Sequence, residues 1–287
     1  MAMNYSVTFW GTRGTIPVPG DGTTRYGGNT PCVAVRDGEG RCLVLDAGTG
    51  IRGLGQALRS EAFEGRIDLF LSHVHWDHIQ GLPFFPPMFA DGQDIRIHGP
   101  TPAGAGLASV LERQLEPAVY PVPRALRAAR LSVKEVSADS TVEVPGFRVE
   151  CCQLSHPGGA LGYRITPNGG GPALAYLTDN ELGPGGASRV ASTWRTDLVR
   201  FVRGAALLIH DGMYTPALAE ERSGWGHSSA LDAVTLAREA GVDQLALFHH
   251  DPDHDDAQVD GLLAMAQAAA PAGLAVNAAR EGWTVTL

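Results

Sequence analysis

The stretch Leu71-Ser72-His73-Val74-His75-Trp76-Asp77-His78 decides how this chain is interpreted. It places three histidines and one aspartate within six residues, directly after an apolar run. Imidazole and carboxylate groups are common metal ligands, and four of them so close in sequence predict a metal site. Their number favours a binuclear site over a mononuclear one.

The local sequence predicts how these ligands divide between two metal ions. Residues 67–72 alternate and are rich in branched and aromatic side chains, which predicts a buried strand. His73 and His75, two positions apart at its end, should face the same side and share one metal ion. Asp77 and His78 should project from the first turn of a following helix, toward a second ion. Ligands of this kind, without thiolate, favour zinc, with manganese or iron as alternatives.

Three further polar residues come first after predicted strands, namely His156, Asp179 and His249. The predicted strands are residues 151–155, 173–178 and 244–248. Ligands collect in such positions when several strands point their ends into one cleft. A fourth strand, 43–45, ends at Asp46, which could accept a hydrogen bond from the free ring nitrogen of a ligating histidine.

The seven residues together resemble the metal signature of the metallo-β-lactamase superfamily, in order and in strand-end placement. The resemblance runs from Val7 to the C-terminus and implies an α/β fold, an αββα sandwich of two mixed sheets flanked by helices. In that family the first metal is held by residues matching His73, His75 and His156, and the second by those matching Asp77, His78 and His249. Asp179 matches the aspartate that bridges the two metals.

One ligand position is ambiguous because His249 is followed by His250. Strand parity from Leu245 places the His249 side chain toward the cleft and that of His250 on the opposite side. Alignment with the Leu-Thr-His element of the family favours the same residue. We therefore expect His249 to be the ligand.

Two elements of the C-terminal half resemble the ribonuclease Z and phosphodiesterase branch of the superfamily. Residues 207–213 are similar to its His-Glu-Ala-Thr element, with Asp211 in place of glutamate, and residues 226–229 resemble its His-Ser-Thr element. In that branch the acid orients a histidine that acts near the leaving group, which implies that pairing for Asp211 and His227. These two residues, together with Asp77, are the catalytic candidates.

Composition limits the partners. The 287 residues carry a formal charge of −9 and contain no Lys/Arg-rich run, which argues against a grip on long nucleic acid. The tRNA-processing relatives carry a long protruding arm between the positions of His156 and Asp179, where this chain holds only one predicted strand and the turn 167–172. Substrates should therefore be small molecules. Neither a low-complexity linker nor a charge block divides the chain, so we expect residues 1–287 to form one hydrolase domain.

Other features bear on location and assembly. Four cysteines lack metal-finger spacing, and neither a signal-peptide core nor an apolar run long enough to cross a bilayer is present, so a reducing cytoplasm is expected. Residues 101–124 could form a lid or an oligomer contact, which would allow a homodimer. Aromatic side chains in residues 82–89, together with Met213, Tyr214 and Trp225, could wall a pocket or pack in the core. Arg13 could contact a phosphate or stabilise a turn.

The predicted function is hydrolysis of a small phosphodiester, linear or cyclic, by a hydroxide held between two divalent metals. Three alternatives stay open at this point. The same site could serve a lactonase or thioesterase, an RNA-processing nuclease, or a sensor module that binds metal without turnover. A β-lactamase and an oxygen-reducing di-iron protein are disfavoured, the second because those relatives typically have a glutamate where His75 stands.

Overall fold

The structure is a computed structural model that describes residues 4–122, 128–187 and 190–287. Its described strands form two sheets of seven strands each. The first sheet has the order β14-β1-β2-β3-β4-β5-β6, with β1 Tyr5–Gly11, β2 Cys32–Asp37, β3 Cys42–Leu45, β4 Ile67–Phe70, β5 Asp94–Gly99, β6 Arg130–Glu135 and β14 Thr284–Thr286. The second has the order β13-β12-β11-β10-β9-β8-β7, with β7 Thr141–Val144, β8 Phe147–Leu154, β9 Ala160–Pro167, β10 Leu174–Leu177, β11 Leu207–Asp211, β12 Gln244–Phe248 and β13 Ala275–Ala278.

Eight helices are present among the described residues, and several of them cover the outer faces of the two sheets. They are α1 Ile51–Ser60, α2 Trp76–Ile79, α3 Leu107–Arg113, α4 Pro184–Ala187, α5 Trp194–Val202, α6 Pro216–Glu221, α7 Ala230–Ala240 and α8 Asp256–Ala269. Single 3-10 turns lie at Asp21–Thr23, Leu82–Phe84 and Pro86–Phe89. The predicted αββα sandwich is thereby confirmed.

The alternation of side chains along the strands builds three apolar layers. In β3, Leu43 and Leu45 pack between the two sheets, whereas Val44 faces the opposite side and packs with Leu54 of α1. A third layer joins the second sheet to α5, α7 and α8. The central strands thus contribute apolar side chains to two layers, as expected for a sheet that is covered on both faces.

The two longer C-terminal helices begin with capping boxes. The Ser229 hydroxyl accepts a hydrogen bond from the Asp232 amide, and the Asp232 carboxylate accepts one from the Ser229 amide. Asp255 and Gln258 make the equivalent pair at the start of α8. These caps satisfy amides that have no partner within the helix and set where each helix begins.

Strand direction decides where the site forms. Strands β3 to β6 run parallel to one another, as do β10 to β13. Strand β8 also runs parallel to β10, because β9 lies antiparallel between them. The carboxyl ends of β8, β10, β11 and β12 therefore meet at one edge, where the loop after β4 approaches them.

The segment predicted as a lid or oligomer contact contains α3, and its last two residues, 123 and 124, lie outside the described residues. Among the described residues, no helix has the length and apolar character needed to cross a membrane.

Candidate metal centre and acid–histidine pair

Strand ends bring the predicted ligands together. The loop after β4 carries His73 and His75, His156 follows β8, Asp179 follows β10, and His249 follows β12. Their candidate ligand atoms fall into two clusters within which all atoms lie no more than 4.8 Å apart. The sequence thus predicted this convergence correctly, although side chains from both sheets had to meet.

The first cluster consists of three imidazoles and one carboxylate. His156 Nε2 lies 3.1 Å from His75 Nδ1 and 3.7 Å from Asp179 Oδ2, and His73 Nε2 lies 3.8 Å from the same oxygen. Burial lowers the pKa of His156 to about 4 and holds that of His73 well below its usual range. Both imidazoles are therefore neutral at physiological pH, which is the form that binds metal.

The second cluster contains two carboxylates and two imidazoles. Asp77 Oδ2 lies 3.1 Å from both His78 Nε2 and His249 Nε2. Asp179 Oδ1 lies 3.1 Å from His78 Nε2 and 3.2 Å from His249 Nε2. Burial opposes protonation of His78, but Asp77 and Asp179 override it and raise the pKa of that imidazole. This cluster therefore stabilises positive charge.

Asp179 joins the two clusters because each of its oxygens faces a different one. Burial would raise its pKa, but the surrounding histidines, His249 first, hold it well below the usual range, so the side chain is anionic. The Nε2 atom of His73 is buried without a hydrogen-bond partner among the described residues. Buried polar atoms are normally satisfied, so this nitrogen points to a missing ligand partner. The donor set fits divalent cations.

Hydrogen bonds to the opposite ring nitrogens orient the Nε2 atoms of His73 and His78 toward the site. His78 Nδ1 donates to Asp46 Oδ2 at 2.8 Å, and His73 Nδ1 donates to Ser72 Oγ at 3.0 Å. Asp46 also accepts hydrogen bonds from the Ser72 amide and hydroxyl and from the Tyr176 hydroxyl. The role predicted for Asp46 agrees with this geometry, whereas Ser72 and Tyr176 were not anticipated from sequence.

Replacing Asp46 with asparagine should weaken metal binding about 10- to 100-fold, because an amide must turn its NH₂ toward one of four donors. Competition with a chromophoric chelator measures that affinity. Asp37→Asn is a matched control, since Asp37 accepts backbone and arginine hydrogen bonds at a turn after β2, and it should bind metal as the wild type does. Unchanged affinity in folded Asp46→Asn protein would contradict this role.

Backbone strain is concentrated around the site. Six non-glycine residues among those described have positive φ, and four of them adjoin the clusters, namely Thr15, Asp46, Asp179 and His249. The Thr15 amide donates to Asp77 Oδ2 at 2.8 Å. Left-handed backbone costs roughly 1–3 kcal/mol per residue and persists only where the surroundings enforce it. The contacts around the site therefore enforce strained backbone conformations at these residues.

The predicted acid–histidine pair forms beside the clusters. His227 Nδ1 lies 2.6 Å from Asp211 Oδ2, and Asp211 Oδ1 accepts the Met213 amide at 3.0 Å. Burial opposes protonation of His227, but the Asp211 carboxylate overrides it and raises the pKa to about 9. The imidazole stacks on His249 with ring centroids 5.0 Å apart. A histidine held as a cation in this position can donate a proton.

A buried glutamate that sequence reasoning missed organises the loop before His227. Glu181 Oε1 accepts the Gly224 amide at 2.7 Å and Oε2 accepts the Gly226 amide at 3.0 Å. The Gly226 carbonyl in turn accepts a hydrogen bond from His156 Nδ1 at 3.1 Å. The one sequence signal was the polar run Asp179-Asn180-Glu181 after a buried strand.

Gly226→Ala should weaken metal binding, because a Cβ atom there would lie 2.3 Å from His156 Nδ1. The φ of +96° adds a left-handed strain of about 1–2 kcal/mol. Gly241→Ala is the matched control, since its φ is +62° and its Cβ would meet no atom within 4 Å. Metal affinity and thermal unfolding separate the two effects: both variants should lose stability, and only Gly226→Ala should lose metal. Equal metal affinity in the two would show that the contact is harmless.

Other residues singled out from sequence lie away from the clusters. His250 is buried, and its Nε2 lies 2.8 Å from the Ala279 carbonyl, whereas His249 faces Asp77 and Asp179. Arg13 is fully buried and donates to the backbone carbonyls of Gly27, Asp251 and His254, so the phosphate contact was wrong and the structural alternative holds.

The acidic segment 251–256 caps α8 through Asp255, and Asp251 at its start is buried. Helix α2 begins at Trp76 with His75 at the N-cap, so Asp77 and His78 lie in its first turn as expected. The aromatic candidates divide: Phe85, Met88, Met213 and Tyr214 are buried, and Phe84 and Trp225 are exposed.

A sequence profile described as Beta-lactamase superfamily domain matches residues 41–250. The chain belongs to this superfamily. The matched range includes all seven residues of the two clusters as well as Asp211 and His227. Because the chain belongs to this superfamily and contains the two clusters, it is a metal-binding hydrolase.

The chain is similar to curated relatives that carry ribonuclease names. A ribonuclease Z from Synechococcus sp. is 29% identical, with 93% of this chain and 92% of the relative covered. A ribonuclease BN from Cronobacter sakazakii is 26% identical, with 93% and 95% covered. In structure the chain is similar to the metallo-β-lactamase fold protein YhfI from Bacillus subtilis, at a TM-score of 0.73 and 20% identity, with 99% and 100% covered. The resemblance recognised in the sequence is confirmed.

Proposed function

We propose that the protein is a binuclear metal-dependent phosphodiesterase that hydrolyses small phosphodiesters, linear or cyclic. The observation that carries this proposal is the Asp179 carboxylate, whose two oxygens face two separate ligand clusters. The first metal would be held by His73, His75 and His156, the second by Asp77, His78 and His249, with Asp179 on both. Zinc suits nitrogen and carboxylate ligands best, with manganese or iron as alternatives.

The chain's own residues supply the remaining chemistry. When bound, the two cations would polarise a phosphoryl oxygen and lower the pKa of the attacking water. His227, kept protonated by Asp211, is placed to donate a proton to the departing oxygen. Asp77 Oδ2 accepts a hydrogen bond from the Thr15 amide and lies close to His249 Nε2, so these contacts position the second cluster.

Charge supports a small substrate over a long nucleic acid. The formal charge is −9, and a protein that binds a nucleic-acid backbone usually neutralises several phosphates with lysine or arginine. Between His156 and Asp179 the chain forms only the neighbouring strands β9 and β10 and the turn between them, without a separate arm. The proposal includes a cytoplasmic location. All four cysteines are free, and thiols stay reduced in that compartment.

RNA processing is the second candidate, because the curated relatives are named ribonuclease Z and ribonuclease BN. A substrate panel separates the candidates: bis-p-nitrophenyl phosphate, a cyclic nucleotide, a precursor tRNA, a lactone and a thioester. We expect metal-dependent hydrolysis of the small phosphodiesters. Hydrolysis confined to the tRNA would favour the ribonuclease, and hydrolysis confined to the lactone or thioester would contradict phosphodiester specificity.

A further inference from the structure

Two exposed tryptophans adjoin site residues in sequence. Trp225 is 62% exposed and lies two residues before His227, and Trp76 is 67% exposed between His75 and Asp77. Single exposed apolar side chains are common in folded proteins, so exposure alone does not indicate a role, and the contacts that hold the indole must be considered. Trp225 offers the stronger case because its surroundings hold it in place.

The backbone on both sides of Trp225 is clamped by one buried carboxylate. Glu181 accepts the amides of Gly224 and Gly226, the two neighbours of Trp225 in sequence. Burying a carboxylate is costly unless hydrogen bonds compensate it, as these two do. The loop that presents the indole is therefore rigid, although the indole itself faces solvent.

An ion pair supports the indole from one side. The Arg222 guanidinium carbon lies 5.4 Å from the Trp225 ring centroid and 5.2 Å from that of Tyr214, both within cation–π range. Arg222 Nη1 is held in turn by Asp251 Oδ2 at 2.9 Å, and Asp251 is buried. The indole is thus fixed on one side while more than half of its surface stays uncovered.

We propose that Trp225 is a preorganised stacking platform for a planar group of the substrate, of the nucleobase class. This inference rests on the proposed function, because it names the part of a small phosphodiester that lies beyond the phosphate. The position fits: the Gly226 carbonyl next to Trp225 binds His156, and His227 follows directly. A rigid platform loses little entropy on binding, and stacking of a base on an aromatic side chain tolerates any base.

The test uses two ligands that differ only in the base. The metal-loaded protein is titrated calorimetrically with adenosine 5′-monophosphate and with ribose 5-phosphate. Stacking energies correspond to a preference of roughly 5- to 150-fold for the adenine compound. Trp225→Ala should reduce that preference toward one, and Trp225→Phe should keep most of it. Leu131→Ala, which truncates an exposed apolar residue of the edge strand β6, should leave the preference unchanged.

The binding readout is independent of hydrolysis. A preference that survives in Trp225→Ala, or no measurable adenosine 5′-monophosphate binding by the wild type, would overturn the platform. If the preference collapses as expected while no phosphodiester is hydrolysed, the platform stands and the proposed function fails. If phosphodiesters are hydrolysed while the wild type shows no preference for the adenine compound, the proposed function stands and the platform fails.

Discussion

Asp179→Ala is expected to lower kcat/KM on any phosphodiester substrate by at least about 10³-fold. The carboxylate is shared by both clusters, so its loss removes a ligand from each cation at once. Metal ions contribute several kcal/mol of transition-state stabilisation, and each 1.36 kcal/mol corresponds to a factor of ten in rate. Steady-state kinetics and metal analysis of the purified variant measure both consequences.

Asp179→Asn sharpens the same prediction. Asparagine keeps one oxygen in a side chain of equal length, so it can serve one cluster but not both. We expect this variant to keep more metal than Asp179→Ala and to remain far less active than the wild type. Asp37→Asn, at a turn outside the site, should retain full metal content and rate. An Asp179→Ala protein with normal activity would remove the bridging role.

His227→Ala is expected to lower kcat about 10²- to 10⁴-fold while metal content stays at the wild-type value. The reason is that His227 pairs with Asp211 and stands outside the proposed ligand sets, so its loss removes a proton donor without removing a ligand. Substrates whose leaving group departs without a proton, such as p-nitrophenolate, should be affected least. Rates on a p-nitrophenyl ester and on an alkyl ester therefore form the matched comparison.

The pH profile tests the same residue. Because the cationic form donates the proton, kcat should fall as the pH rises through the pKa of His227, which Asp211 raises. Asp211→Asn removes the charge that raises that pKa and should move this fall to lower pH. A His227→Ala enzyme that loses metal, or an Asp211→Asn profile that does not move, would contradict the proton-donor role.

Much of the site could be predicted from sequence because the ligands occupy positions with a simple physical meaning. His156, Asp179 and His249 come first or second after buried strands, and parallel strands bring their carboxyl ends to one edge. Strand parity and the alignment with the family's Leu-Thr-His element both favoured His249 over His250. Helices α7 and α8 begin directly after Ser229 and Asp255, residue types that are strong helix caps.

The remainder could not be predicted because it depends on contacts between distant segments. Arginine is a residue type that often binds phosphate, yet the Arg13 guanidinium donates hydrogen bonds to backbone carbonyls 14 and about 240 residues away. Glu181 reaches amides 43 and 45 residues further along the chain. No local pattern encodes such pairings. The exposure of Trp225 was likewise undetermined, since aromatic residues in that sequence context pack in cores as readily as they line pockets.

Two cations should share Asp179 between the two histidine clusters. A crystal structure of the metal-loaded protein, with anomalous scattering recorded at the metal absorption edge, would locate them. We expect two peaks, one among His73, His75 and His156 and one among Asp77, His78 and His249, with Asp179 contacting both. A single peak, or peaks away from Asp179, would show that Asp179 does not bridge two metals.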